Sequence, residues 1–451
     1  MTNYFQKLLT QLAAIAVISM FSVTAVASNP FEDGLLTFQE AYELALAGSP
    51  AIKAADSNIT AATEDEGVAL AGFLPQMSFN MQYQRMTGNF AAQPGQVLDT
   101  DLNTDPPMSS QSYNYFGLGI NLQQTVWDFG RTLYGLRQAE SNTAAARFSK
   151  DSNVLNLWYQ IFAAYSEIVA AQKNLDLSRE NRDAFRKNAD TALDLYRIGE
   201  VPKIEMVRAE TEAQLILAGY MGAEERFRGA CKNLLIRIGV REPIEFRVDT
   251  KPYAIKAGQE GMQELVDLAL ANRPDRKAIL EKIASMSSRV KQIHGDHYPN
   301  LFVLAGFSYG GSYIDQLAWN WQAGVGLQLP LFSGLSTYRQ ARSAKARLAA
   351  ARAELEQFDL EIRAQIEMAW GGLERYRITL QPLNAALISS QEGVNLAMER
   401  FKSGTGSQME ILDTQRSLAQ ARSQMVLAEY EYALAWASLV RALGTLPGSQ
   451  E

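Results

Sequence analysis

The sequence predicts a mixed α and β fold, duplicated within one chain, with four strands of membrane-crossing length and unusually long helices. Three observations predict it. Matching turn and strand residues recur at fixed offsets through the 451 residues. Four runs alternate apolar and polar side chains, the period of a half-buried strand. Long stretches lack helix breakers, Arg131 to Arg197 holding no proline and no glycine but Gly135.

The duplication comes first because repeats decide architecture. Tyr196-Arg-Ile-Gly199 leads into Ile204-Glu-Met206 and closes at Ile238-Gly239; Phe401-Lys-Ser-Gly404 leads into Met409-Glu-Ile411 and closes at Leu443-Gly444. Gly199 to Gly404, Gly239 to Gly444 and Trp127 to Phe332 are each 205 positions apart. Earlier in each half, Pro50 to Pro274 and Pro75 to Pro299 are 224 apart, so the first half carries about 19 extra residues. Residues 88–107 absorb them with Gly88, Asn89, Pro94, Gly95, Pro106 and Pro107, which is loop chemistry. The organisation expected is a leader at 1–27, a first repeat at 28–240, a linker at 241–261 and a second repeat at 262–451. Strand hairpins fall at about 76–127 and 299–331, and helical tips at about 197–204 and 402–409.

The strands are read from alternation. Met77, Phe79, Met81 and Tyr83 interleave with Ser78, Asn80, Gln82 and Gln84; Trp319 to Leu329 repeats the pattern, and Tyr113 to Val126 and Leu301 to Tyr309 are weaker versions. Strands of about 10 residues cross a membrane when tilted. A soluble sheet with one face on a core would alternate in the same way. Lipid is favoured because Tyr83, Tyr113, Tyr115, Tyr309, Tyr313, Trp319 and Trp321 gather at the loop ends, as an interfacial girdle does. Four strands cannot close a barrel, and an open edge is forbidden in lipid. Strands in lipid would therefore require several chains to share one barrel.

The long helices are expected over Arg131–Arg197 and Thr337–Lys402, the second with Gly371-Gly372 and Pro382 as sites of a kink or register adjustment. Met206, Ala213, Tyr220, Phe227 and Leu234 form a heptad column whose copy is Ile411, Leu418, Met425, Tyr432 and Leu439. Helix periodicity by itself is equally compatible with a soluble periplasmic coiled-coil scaffold.

Composition excludes other classes. The net charge of −7 carries no basic stripe, so no nucleic-acid partner is expected. Lys7, the apolar run Leu12 to Phe21 and Ala25-Val-Ala27 read as a cleaved secretory signal, and the run is too short for a spanning anchor. The one cysteine, Cys231, lies far from that cleavage point, so no N-terminal lipid is expected. His294 and His297 lack further ligands and have poor spacing for a metal on a helix. No nucleophile, acid–base pair or phosphate-cradling loop is found, so neither an enzyme nor a cofactor is expected.

Leu36-Thr-Phe-Gln-Glu-Ala-Tyr-Glu-Leu-Ala45, Phe73-Leu-Pro-Gln76, Pro330-Leu-Phe-Ser-Gly334 and the turns at Gly199 and Gly404, in this order over nearly the whole mature chain, resemble the TolC outer-membrane factor family. The resemblance implies a homotrimer. Each chain would give four strands to a 12-stranded barrel in the outer membrane of a Gram-negative bacterium and helices to a periplasmic α-helical tube. The implied activity is passive conduction in a tripartite efflux or type I secretion system. Its partners would be a periplasmic adaptor (membrane fusion) protein and an inner-membrane RND, MFS or ABC transporter. The implied docking tips are Gly199, Glu200 and Val201, and Gly404, Thr405, Gly406 and Ser407. Glu410 and Asp413, with Glu205 as the first-half equivalent of Glu410, match the acidic constriction positions. Acids near a helix start also favour the helix dipole, which is the alternative for these carboxylates.

Overall fold

The computed structural model of the chain describes residues 35–87, 112–240, 246–249 and 261–446. The leader, the polar loop of the first half and most of the linker lie outside the described residues. In chain order the elements are β1 (Leu35–Leu36), α1 (Phe38–Gly48), α2 (Pro50–Ala71), β2 (Gln76–Thr87), β3 (Ser112–Trp127), α3 (Arg131–Arg197) and α4 (Lys203–Ile238). There follow β4 (Arg247–Val248), α5 (Met262–Asn272), α6 (Pro274–Gly295), β5 (Asn300–Gly311), β6 (Ala318–Gln328), α7 (Ser336–Lys402) and α8 (Gln408–Leu443).

Helix lengths recur in pairs. α1 and α5 have 11 residues each, α2 and α6 have 22, α3 and α7 have 67, and α4 and α8 have 36. The punctuation recurs too. Pro50 and Pro274 occupy the first helical position, where a missing N–H is harmless. Gly239 and Gly444 end α4 and α8 with φ of 83° and 80°, left-handed values that favour glycine. α7 is one continuous helix through Gly371-Gly372 and Pro382, the residues at which a kink or register adjustment is expected. One reason is its packing against α8: a Cβ at Gly372 would lie 3.9 Å from that of Ala435, and Ala421, Ala428 and Ala442 are buried.

The chain divides into two compact units, one drawn from Met1–Ala47 and Ala164–Tyr253, the other from Gly48–Ala163 and Ala254–Glu451. In the first, β1 pairs in parallel with β4. The buried Tyr165 hydroxyl ties this ribbon down by donating to Leu36 O at 3.0 Å and lying 3.2 Å from Asp249 O, while Asp249 N–H donates back at 3.1 Å. Burial pushes the phenol up to about 12 from the ordinary 10.0. The folded state thus holds this proton more tightly, and its contribution to stability is complete below pH 10 and lost as pH rises to about 12. Tyr165→Phe should cost about 1–3 kcal/mol, read as a lower thermal midpoint, because it removes the donor to Leu36 O.

In the second unit, four strands form one antiparallel sheet in the order β2-β3-β5-β6. Register places Phe79, Ile120, Phe307 and Trp321 side by side, and Met81, Leu118, Tyr309 and Trp319 in the next row on the same face. Ser78, Asn121, Gly306 and Gln322 make a row of the opposite face. Trp158 and Phe162 of α3 pack on Trp436 of α8, ring centroids 6.0 and 5.4 Å apart.

Candidate functional site

The sheet presents its apolar face to the outside of the chain. Phe79, Met81, Trp321 and Val325 are 67–71% exposed, although a soluble domain would bury this set. The polar face carries Asn80, Gln82, Ser308 and Asn320 with several glycines, so small and hydrogen-bonding groups line the other side. Among the described residues, β2 and β6 are each paired on one side only, leaving two rows of backbone groups open.

The girdle residues divide between the faces. Tyr83, Tyr309, Trp319 and Trp321 share the apolar face, where Phe307 stacks on Trp319 at 6.3 Å and Tyr83 lies 4.9 Å from Phe116. Tyr313 follows β5 in the turn and is 66% exposed. Tyr115 is a correction: it pairs with Gln84 and belongs to the polar face. A Cβ at Gly310 would come within 2.9 Å of the Tyr115 hydroxyl, so the ring lies across the strands on that side. The Tyr113 side chain lies outside the described residues. Phe79, Phe116 and Phe307 extend the aromatic surface, Phe116 beside Tyr83 and Phe307 beside Trp321.

The tips are built alike from local rules. α3 ends with Gly199 at φ 83°, its N–H donating to Tyr196 O at 3.0 Å and Glu200 N–H to Leu195 O at 2.9 Å. α7 ends with Gly404 at φ 74°, its N–H donating to Phe401 O at 3.0 Å and Thr405 N–H to Arg400 O at 2.9 Å. Both are Schellman motifs, which satisfy the last helix carbonyls. The second tip is tighter: Gly406 N–H also reaches Arg400 O at 2.9 Å, and a Cβ there would meet Phe401 N at 2.9 Å. Ser407 then caps α8 by accepting from Glu410 N–H at 3.3 Å. Pro202 stands before α4 without a side-chain cap, and Val201 is half-buried beside it. The first tip is supported by Ala189, Ala192 and Ala209, with Ala213 packed against them.

The carboxylates are not bare. Glu410, in the first turn of α8, accepts from Arg400 of α7 at 2.8 Å, across the tip. Asp413 lies 3.4 Å from Arg416, three residues on along the same helix. Glu205 occupies the first turn of α4 in the other compact unit. Sequence reasoning singled out the acids and missed both arginines. Arg416 was findable from its spacing, since residues three apart share a helix face. Arg400 was not, because only the turn geometry returns it to Glu410 ten positions later.

His294 ends α6, and its ring centroid lies 6.1 Å from that of His297. No group of three metal-ligating side chains occurs among the described residues. Burial pushes the Cys231 thiol up to about 11. No helix of the described residues is long and apolar enough to cross a membrane.

The profile of the family described as outer membrane efflux protein matches residues 41–232 and again 265–445. The chain belongs to this family. Among its relatives, the outer membrane efflux protein BepC of Brucella suis is 23% identical over 396 residues, covering 86% of this chain and 81% of BepC. The alkaline protease secretion protein AprF of Pseudomonas aeruginosa is 23% identical over 431 residues, covering 93% and 86%. The Campylobacter jejuni CmeC outer membrane channel superposes with a TM-score of 0.77 at 18% identity, over 90% of this chain and 85% of CmeC, so the fold is that of these channels. Members of the outer membrane efflux protein family are channels rather than enzymes, and the helix-rich chain with its four-stranded sheet is of that TolC-like kind.

Proposed function

We propose that three copies of this chain share one 12-stranded barrel in the outer membrane of a Gram-negative bacterium. The barrel continues into an α-helical tube across the periplasm. The assembly is a passive exit duct for an efflux or type I secretion system. The carrying observation is the sheet, with one face of exposed apolar side chains and two open edges. In lipid the face is solvated, but the edges are tolerated only if another copy pairs with them. A soluble scaffold would leave the whole patch in water.

Within this reading the duplication defines two repeats, 28–240 and 262–451, joined through the linker 241–261. No lipid is attached. Tyr83, Tyr309, Tyr313, Trp319 and Trp321 mark the interfacial zone. Glu410 and Asp413, with Glu205, line the constriction. Gly199 to Val201 and Gly404 to Ser407 dock a periplasmic adaptor, which hands over cargo from an inner-membrane RND, MFS or ABC transporter. Both cargo classes occur among the relatives, as the names of BepC and AprF show.

The first test is whether the protein, purified in detergent, migrates as a heat-sensitive trimer and conducts in planar bilayers; a detergent-independent soluble species would overturn the reading. The second places a photo-crosslinker at Ser407 or Glu200 in the native cell. An adaptor is expected among the captured proteins. A drug pump captured with it establishes efflux, and a protein-exporting ABC transporter establishes secretion. A trimer that captures no periplasmic partner would remove the docking assignment.

A further inference from the structure

The lateral order of the helices copies that of the strands. α2 meets α3 where Thr143 Oγ1 donates to Ala62 O at 3.0 Å and Lys150 pairs with Asp56 at 2.6 Å. α3 meets α6 where Arg131 lies 3.6 Å from Asp296, and α6 meets α7 through Arg276 and Asp359 at 2.7 Å. The order α2-α3-α6-α7 therefore runs alongside β2-β3-β5-β6. The outermost helices, α2 and α7, adjoin the two open strand edges.

These two helices carry opposite charge near the sheet. No carboxylate residue occurs between Asp315 and Glu354, while Arg339, Arg342, Lys345 and Arg347 are all exposed. No cationic residue occurs between Lys53 and Arg85, while Glu64 and Asp65 are exposed. None of these six has an ion-pair partner among the described residues. At a rise of about 1.5 Å per residue, Arg342 lies about 9 Å from the start of α7 and Asp65 about 9 Å from the end of α2. Counted from the helix ends that lead to the sheet, the two charges stand equally far along their helices. Nearer the strands both flanks turn apolar: Phe73 and Leu74 are 43% and 46% exposed after α2, and Leu331 and Phe332 are 89% and 82% exposed before α7.

The internal duplicates carry less of this polarity, although Arg137 of α3 matches Arg342. At the 205 offset, Glu140 and Asn142 of α3 stand where α7 has Lys345 and Arg347. At the 224 offset, Ser288 and Arg289 of α6 stand where α2 has Glu64 and Asp65. The two edge helices differ from their duplicates with opposite sign, and they stand at the two ends of the order α2-α3-α6-α7.

We infer that α7 of one copy docks against α2 of a second copy, with Arg339, Arg342 and Lys345 facing Glu64 and Asp65 above an apolar contact. This charged seam orders the copies head to tail and favours like chains over other channel subunits. It rests on the proposed shared barrel, since closing β6 onto a neighbour's β2 brings α7 to that neighbour's α2. Complementary charges of this kind give partner choice and register more than affinity.

The test is a double-cysteine variant, Asp65→Cys with Arg342→Cys, in a Cys231→Ser background, treated in membranes with a short bis-maleimide. A covalent ladder ending at three chains is expected, and neither single cysteine can extend it beyond two. A heat-sensitive trimer without the ladder would overturn the seam and leave the shared barrel standing. Absence of any trimer in the Cys231→Ser parent would overturn both. Independently, Glu64→Lys with Asp65→Lys should lose trimer, as should Arg342→Glu with Lys345→Glu. Combining all four should restore it, and failure to restore it would overturn the pairing.

Discussion

Met77→Arg is expected to abolish trimer in the outer membrane, whereas Ser78→Arg, one residue on, is expected to leave it intact. Met77 lies on the apolar face, 70% exposed, in the row of Leu122, Ala305 and Ala323 at the middle of β5 and β6. An arginine there would place a guanidinium in hydrocarbon, at a cost of about 2–4 kcal/mol per chain near the bilayer midplane. Three chains would multiply the cost. Ser78 points to the other face, beside Asn121. An arginine there enters the space proposed as the lumen and should change conductance rather than assembly. Heat-sensitive trimer and single-channel conductance separate the outcomes. Equal tolerance of both substitutions would mean that neither face meets lipid.

Arg400→Ala is expected to make the channel more cation-selective and to tighten block by divalent cations by about tenfold at low salt. Arg400 holds Glu410 at 2.8 Å, so each proposed constriction carboxylate carries a counter-charge from its own chain. Removing it leaves three unbalanced carboxylates, one from each copy, around one axis. The change should fade as salt is raised, because the groups are partly exposed. Arg416→Ala should act in the same direction but less, since an exposed pair three residues apart contributes little. Glu410→Ala with Asp413→Ala should do the reverse and weaken block. Bilayer recordings in which all these variants match the parent would place the constriction elsewhere.

Part of this architecture is legible in the amino-acid sequence alone. The strand β2 was legible because Met77 to Gln84 alternates strictly and a strand's period is two. The ends of α3 and α7 were legible because Gly199 and Gly404 take left-handed φ values of 83° and 74° that other residues resist. β3 was less legible. Tyr113 and Tyr115 occupy one parity while Phe116, Leu118, Ile120 and Leu122 occupy the other, so composition marked the apolar side of the strand's body but left its aromatic loop end open. Pairing of Tyr83 with Phe116 decided it and put Tyr115 on the polar face.

What the sequence determined by itself is what short-range physics controls: periodicity, helix stops, the duplication and the family resemblance it carries. What only the tertiary structure decided is what depends on residues distant in the chain. Cross-strand register assigned faces. A tight tip returned Arg400 to Glu410. Side-by-side packing put acidic α2 and basic α7 at opposite margins of one unit. Each of these is fixed by which segments become neighbours, and local propensity cannot supply that, because the same residues would satisfy their own backbone equally well beside a different partner.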